Sequence, residues 1–183
     1  MEYSRHDIER LFERLNDELA RREITGEVYV VGGAVMCLVF DARASTRDVD
    51  AFFRPAKEVR AAARAVAAAS GLPDDWLNDA VKGYLSHRED FHRYLDLSNL
   101  RVLTASPEYL LAMKCLAMRL GEGFHDEDDV RFLLRCLNLS DYDKAVEVVT
   151  SYYPRERLPQ KTLYALEEML EPPERDGRAY DEP

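Results

Sequence analysis

The tightest constraint on this chain lies in EVYVVGGAVMCLVFDARASTRDVDAFF, residues 27–53, where the apolar period changes repeatedly within one short stretch. EVYVV is short, β-branched and aromatic, which predicts a strand. It stops at Gly32-Gly33, after which AVMCLVFDA resumes a helical pattern, so the glycine pair is predicted to turn a strand into a helix. The polar RASTR reads as a loop. DVDAFF then reads as a second strand whose alternation points Asp48 and Asp50 to one face and Val49 to the other.

Each half of this stretch has a plain structural reading and a chemical one. Glycines at a strand end let backbone N–H groups approach a phosphate closely, with the start of the next helix adding positive potential. They also serve any tight turn. Two aspartates at i and i+2 on a strand project the same way and can share Mg²⁺, a hard cation that favours carboxylates and substrate phosphates. They are also a common polar strand face. Taken together, a phosphate-admitting turn and a strand-borne carboxylate pair form the two halves of a phosphoryl- or nucleotidyl-transfer site.

The rest of the chain says what surrounds that stretch. Ile8, Leu11, Phe12, Leu15 and Leu19 recur at helical spacing, giving an amphipathic first helix that ends before Gly26. Pro55 is read as starting a helix to Ser70, closed by Gly71. LPDDWLNDAVKGYL is less regular, and RYLDLSNLRVLTA reads as two short strands or one bent one around Ser98-Asn99. Beyond it only helices follow: Ser106 caps, Pro107 begins EYLLAMKCLAMRL, and further helices are predicted around 127–137, 141–152 and 160–170. The fold class is therefore α+β, with a core over 1–105, a helical extension over 106–170 and a flexible acidic tail over 171–183 rich in Pro and charge.

Composition removes several functions. No run reaches the ~18 to 20 apolar residues of a membrane span, and the N-terminus opens directly into charged helix, so a cytoplasmic protein without a signal peptide is expected. A net charge of −10 excludes a broad nucleic-acid-binding surface while leaving room for a local basic pocket. Cys37, Cys115 and Cys136 lack paired metal-site spacing and read as buried thiols. His6, His87, His92 and His125 are dispersed among charges and read as surface residues. There is no Walker loop, nucleophile elbow or Rossmann glycine fingerprint.

GG followed by STRDVD resembles the nucleotidyltransferase signature of the DNA polymerase β superfamily, and more narrowly that of small bacterial nucleotidyltransferases related to the AbiEii toxins. Downstream, Lys114 within YLLAMKCLAMR, Arg119 about one turn later, and Asp126 and Asp129 in HDEDDVRFLL match the lysine, arginine and acidic helix start of that group. The matched segments span roughly residues 28–137. The resemblance implies the nucleotidyltransferase fold: a small mixed β-sheet flanked by helices and followed by a C-terminal helical bundle.

It also implies roles. Asp48 and Asp50 would hold Mg²⁺, two ions in the in-line displacement logic, while the Gly32-Gly33 backbone holds the phosphates of an NTP. Lys114 would neutralise the triphosphate or the leaving pyrophosphate, and Asp129 would touch the metal indirectly or orient Lys114. Both acids of the helix start are equally explained by the helix dipole, with Asp126 as a cap. Arg43 and Arg47 flank the carboxylates, and adjacency favours Arg47 as the nucleotide contact. A polymerase-type site calls for a third carboxylate on a neighbouring strand, for which Asp96 is the first choice and Asp90 lies nearby. The implied activity is transfer of a nucleoside monophosphate to a hydroxyl of RNA or protein, with an antitoxin as a further partner. The alternative is a catalytically inactive domain of the same fold that binds nucleotide or protein.

Overall fold

Short-range signals in the chain set out the elements in order. β1 (Tyr3–Ser4) runs into α1 (Arg5–Arg21), and β2 (Gly26–Val30) is followed by α2 (Gly32–Leu38). β3 (Ser45–Thr46) and β4 (Val49–Arg54) precede α3 (Ala56–Ser70), and β5 (Leu77–Asn78) leads into a 3₁₀ turn over Ala80–Tyr84. β6 (Phe91–Asp96) and β7 (Leu100–Ala105) form a hairpin. Among the described residues four helices follow: α4 (Pro107–Ala117), α5 (Asp126–Cys136), α6 (Tyr142–Thr150) and α7 (Gln160–Leu170). These come from a computed structural model whose described residues are 1–119 and 125–171. The expected flexible tail lies outside the described residues apart from Glu171.

Local chemistry explains the boundaries. α1 starts at a capping box in which the Ser4 hydroxyl accepts from the Asp7 N–H and the Asp7 carboxylate accepts from the Ser4 N–H. α3 ends at Gly71 in the left-handed region, φ 66°, where a side chain would be strained. Pro55 stands just before α3 rather than inside it. RASTR, read as loop, contributes β3, which pairs with β1 across the start of the chain. α2 has only seven residues, too short to supply much macrodipole to the turn before it.

The main sheet is mixed, in the order β5-β4-β2-β7-β6. β2 lies antiparallel to β4 and parallel to β7, while β4 and β5 run parallel. The period-2 alternation sorts its faces: Val28, Val30, Val49, Ala51, Phe53 and Val102 are buried beneath α1 and α3. The opposite face carries Tyr29 stacked on Phe52 at 4.3 Å and Phe91 edge-on to both. Phe91 continues into Tyr109 of α4, which stacks on Tyr152 at 5.0 Å. One apolar cluster thus runs from Tyr3 to Leu166 and fixes the helical segment against the sheet. Cys37 and Cys115 are buried as expected, but Cys136, on the last turn of α5, is exposed. All four histidines are exposed. Among the described residues no helix is long and apolar enough to cross a membrane.

Candidate active site

Between the end of the sheet and α4 and α5 lies a cleft of about 1070 Å³. Gly32, Gly33, Asp48, Asp50, Lys114 and Asp129 all line it, although they come from four separate segments. The Arg47 side chain reaches it from the exposed rim.

The sheet side of the cleft is built by register. Asp50 follows buried Val49 on β4, so strand alternation turns its carboxylate away from the α1/α3 face, and its carbonyl accepts from the Val31 N–H at 2.9 Å. The chain then turns at Gly32, whose φ of 66° suits glycine, and a β-carbon there would stand 3.0 Å from Asp50 Oδ2. The carboxylate therefore lies directly against the bare turn. Asp48, one residue before the strand, keeps solvent access, yet burial raises its carboxyl pKa, helped by the neighbouring charges of Asp50 and Asp75.

The structure does not bring Asp96 to this cleft. It ends β6, separated from β4 by two strands, and pairs with Arg93 at 2.8 Å and Arg101 at 3.5 Å. Asp90 is likewise engaged elsewhere, accepting from the Tyr152 hydroxyl at 2.8 Å. The strand that does neighbour β4 is β5, where register sets Asn78 beside Asp50. Its amide nitrogen lies 3.4 Å from Asp48 Oδ2, and its amide oxygen accepts from the Ala80 N–H at 3.2 Å. Trp76 anchors this short strand, with its ring buried and its indole N–H donating to the Ala63 carbonyl at 3.0 Å. An amide thus occupies the position where sequence reasoning sought a third carboxylate. The irregular WLN segment carried no periodicity from which its pairing could be read.

The helical side is a chain of ion pairs. Lys114 Nζ lies 3.0 Å from Asp126 Oδ1 and 2.7 Å from Asp129 Oδ2, with its side chain only 12% exposed. Arg43, from the loop after α2, clasps Asp129 in a two-pronged pair, Nε to Oδ1 at 2.9 Å and Nη2 to Oδ2 at 2.5 Å. Arg119 donates to Asp126 from both Nε and its backbone N–H, at 3.1 and 3.2 Å. Burial pushes the Asp126 carboxyl up, but the Lys114 charge and the hydrogen bonds from Lys114 and Arg119 outweigh it and hold the pKa below its ordinary value. Asp126 and Asp129 are therefore buried partners of cations as well as first-turn acids. The Arg43–Asp129 pair joins positions 86 residues apart and had no local sequence signal.

A divalent cation fits the sheet side. Asp48 stands there among carboxylates with burial disfavouring its charge, and Mg²⁺ is commonly held by one or two carboxylates with water and substrate phosphate filling the remaining positions. Among the described residues no group of three or more His, Cys, Asp or Glu side chains is arranged to hold a metal unaided. Asp48 and Asp50 are the residues able to share one with a phosphate at the glycine turn.

A family profile described as a nucleotidyltransferase of unknown function, DUF6036, matches residues 6–156. The chain belongs to this nucleotidyltransferase family. Apart from Glu2, the match takes in every segment that lines the cleft, and the mixed sheet with its following helices agrees with an α+β nucleotidyltransferase-like fold. No curated protein and no solved structure matches the chain.

Proposed function

We propose that the protein is a Mg²⁺-dependent nucleotidyltransferase that moves a nucleoside monophosphate from an NTP to a hydroxyl of RNA or protein. The observation that carries this reading is the shared cleft, lined by Asp48, by Asp50 against the Gly32 turn, and by Lys114 of α4. Asp48 and Asp50 would hold Mg²⁺, two ions in the full arrangement, and the metal would supply Lewis-acid polarisation of the phosphoryl oxygens. The Gly32-Gly33 turn carries no β-carbon of its own, so its backbone N–H groups would be open to the phosphates between the neighbouring Asp50, Thr46 and Arg43 side chains. Lys114, held in place by Asp126 and Asp129, offsets charge that builds on the leaving pyrophosphate.

In the transfer, the acceptor oxygen forms a bond to the α-phosphorus while the bond from that phosphorus to the bridging oxygen breaks, releasing pyrophosphate. Asn78 is an amide and takes no proton, so the acceptor proton passes to water in the open cleft. The resemblance to AbiEii-type proteins supports action as the toxin of a toxin–antitoxin pair, and the net charge of −10 favours an antitoxin that brings positive charge to the contact.

The test is incubation with each labelled NTP, Mg²⁺ and either bulk RNA or a protein extract, with Asp50→Ala in parallel. Label transfer that disappears in the variant is expected. Absence of transfer with every NTP sinks the catalytic reading. A second reading, a domain that binds nucleotide without transferring it, is favoured by Asn78 standing in the third-carboxylate position. Mg²⁺-dependent nucleotide binding without turnover would decide for it.

A further inference from the structure

Gly33 differs from Gly32 in what its bare backbone faces. A β-carbon at Gly33 would lie 2.9 Å from Thr46 Oγ1 and 3.3 Å from Arg43 Nη1, so a hydroxyl and a guanidinium nitrogen converge on this peptide. Arg43 is also aimed. Its Nε and Nη2 are committed to the Asp129 carboxylate, and Nη2 reaches the His125 carbonyl at 3.3 Å, which leaves Nη1 as the edge turned toward Gly33. Among the described residues Nη1 has no hydrogen-bond partner, and Arg43 lines the cleft. Its side chain is 22% exposed and that of Asp129 only 4%, so the orientation is fixed from the buried side. The linked pairs join three cations, Arg43, Lys114 and Arg119, to two carboxylates, Asp126 and Asp129, with Arg119 also acting on Asp48. Across the turn, Asp50 stands against Gly32. The two glycines therefore separate a carboxylate on one side from a guanidinium on the other.

We propose that Arg43 Nη1 and the bare Gly33 backbone form an oxyanion subsite for the donor's phosphoryl groups, with Asp129 as the positioning residue that holds the guanidinium. The inference rests on reading the cleft as a nucleotide site and names the residue that recognises the phosphate. It assigns to Arg43 the contact that adjacency had favoured for Arg47. A planar guanidinium oriented by a two-pronged carboxylate pair recognises phosphate through directed hydrogen bonds, which a flexible side chain on the rim does not match. Asp129 accordingly acts through Arg43 and Lys114 and does not need to touch metal.

The probe is inorganic tripolyphosphate with Mg²⁺, titrated calorimetrically against the full chain, which reads phosphate recognition without base, acceptor or turnover. The Arg43→Gln/Asp129→Asn pair removes both charges while keeping amide groups able to hydrogen-bond in the same places. It is expected to bind tripolyphosphate at least about ten-fold more weakly than the unaltered protein. Arg43→Lys keeps the charge, and so the compensation of Asp129, but loses the fork. It is expected to be weakened by several-fold and serves if the double variant fails to fold. Unchanged binding in either folded variant, or a larger loss from Arg47→Gln than from the double variant, would overturn the proposal, as would an unaltered protein that does not bind the probe. Binding that behaves as expected without any nucleotide transfer sinks the catalytic reading and leaves this one standing.

Discussion

On the sheet side of the cleft, Asp48 and Asp50 sit together with Asp75 nearby, and the group hydrogen-bonded to Asp48 is the neutral amide of Asn78. On the helical side, Asp126 and Asp129 are deeper, yet each carboxylate meets two cationic side chains at hydrogen-bonding distance. The result is a reversal of the usual relation between depth and charge: the more accessible Asp48 has a raised pKa and the more buried Asp126 a lowered one. Burial penalises both. What differs is the partner: Asp126 has Lys114 and Arg119 at hydrogen-bonding distance, whereas at Asp48 the charge of Arg119 does not offset burial and the neighbouring carboxylates.

The largest effect should come from breaking the paired side. Asp129→Ala removes the carboxylate that Arg43 clasps and leaves Lys114 with Asp126 alone, and loss of one partner of a buried ion pair costs about 3 to 5 kcal/mol. Chemical denaturation should show that loss, and a change below about 1 kcal/mol would mean that the helical side is not held by its ion pairs. Next comes the sheet side, where Asp50→Ala should reduce label transfer at least about a hundred-fold while leaving the unfolding midpoint nearly in place. Activity loss accompanied by equal destabilisation in the metal-free protein would erase the contrast between the two sides.

Smaller changes sharpen it. Gly32→Ala forces a side chain into a left-handed backbone and against Asp50 Oδ2, with a cost of roughly 1 to 2 kcal/mol from the backbone alone. Asp48→Asn should act in the opposite direction, raising Tm of the metal-free protein by less than about 4 °C by removing a charge that burial, and then the neighbouring carboxylates, disfavour. A fall in Tm would show that the Asp48 charge is compensated after all.

Acid titration separates the two carboxylates by sign. The Asp126 pKa is lower in the folded chain, so its stabilising contribution is fully present above the ordinary carboxylate range, near about 4, and is lost as pH falls through the depressed folded value. The Asp48 pKa is raised, so its ionisation opposes folding, and stability from this group declines as pH rises through the elevated value. Asp126→Asn should flatten the acid limb of the stability profile and Asp48→Asn the limb above it. Mg²⁺ binding should weaken as pH falls toward the raised Asp48 pKa, which titration calorimetry at several pH values would read.

Much of the fold could be read locally. The strand ending at the glycines, the helix closed by Gly71, the β6–β7 hairpin around Ser98-Asn99 and the run of C-terminal helices all follow from period, caps and turn residues. The two-residue strands β3 and β5 were not legible, because elements that short have no period and exist through their partners. For the site, the Gly-Gly turn and the Asp-x-Asp pair were visible because each is a local pattern. Asp96 misled for the complementary reason: a strand-like setting says nothing about where in the sheet the strand lies, and β2 and β7 stand between β6 and β4.

The sequence by itself determined which chemistry the chain carries, since glycine freedom, the i, i+2 carboxylates and the lone lysine of α4 are properties of neighbours along the chain. The tertiary structure alone decided which charges meet. Sheet order set Asn78 beside Asp50 in place of an acid, and the packing of α5 against the loop after α2 joined Arg43 to Asp129. Pairings of that kind depend on burial and on distance through space, quantities that spacing along a chain does not contain.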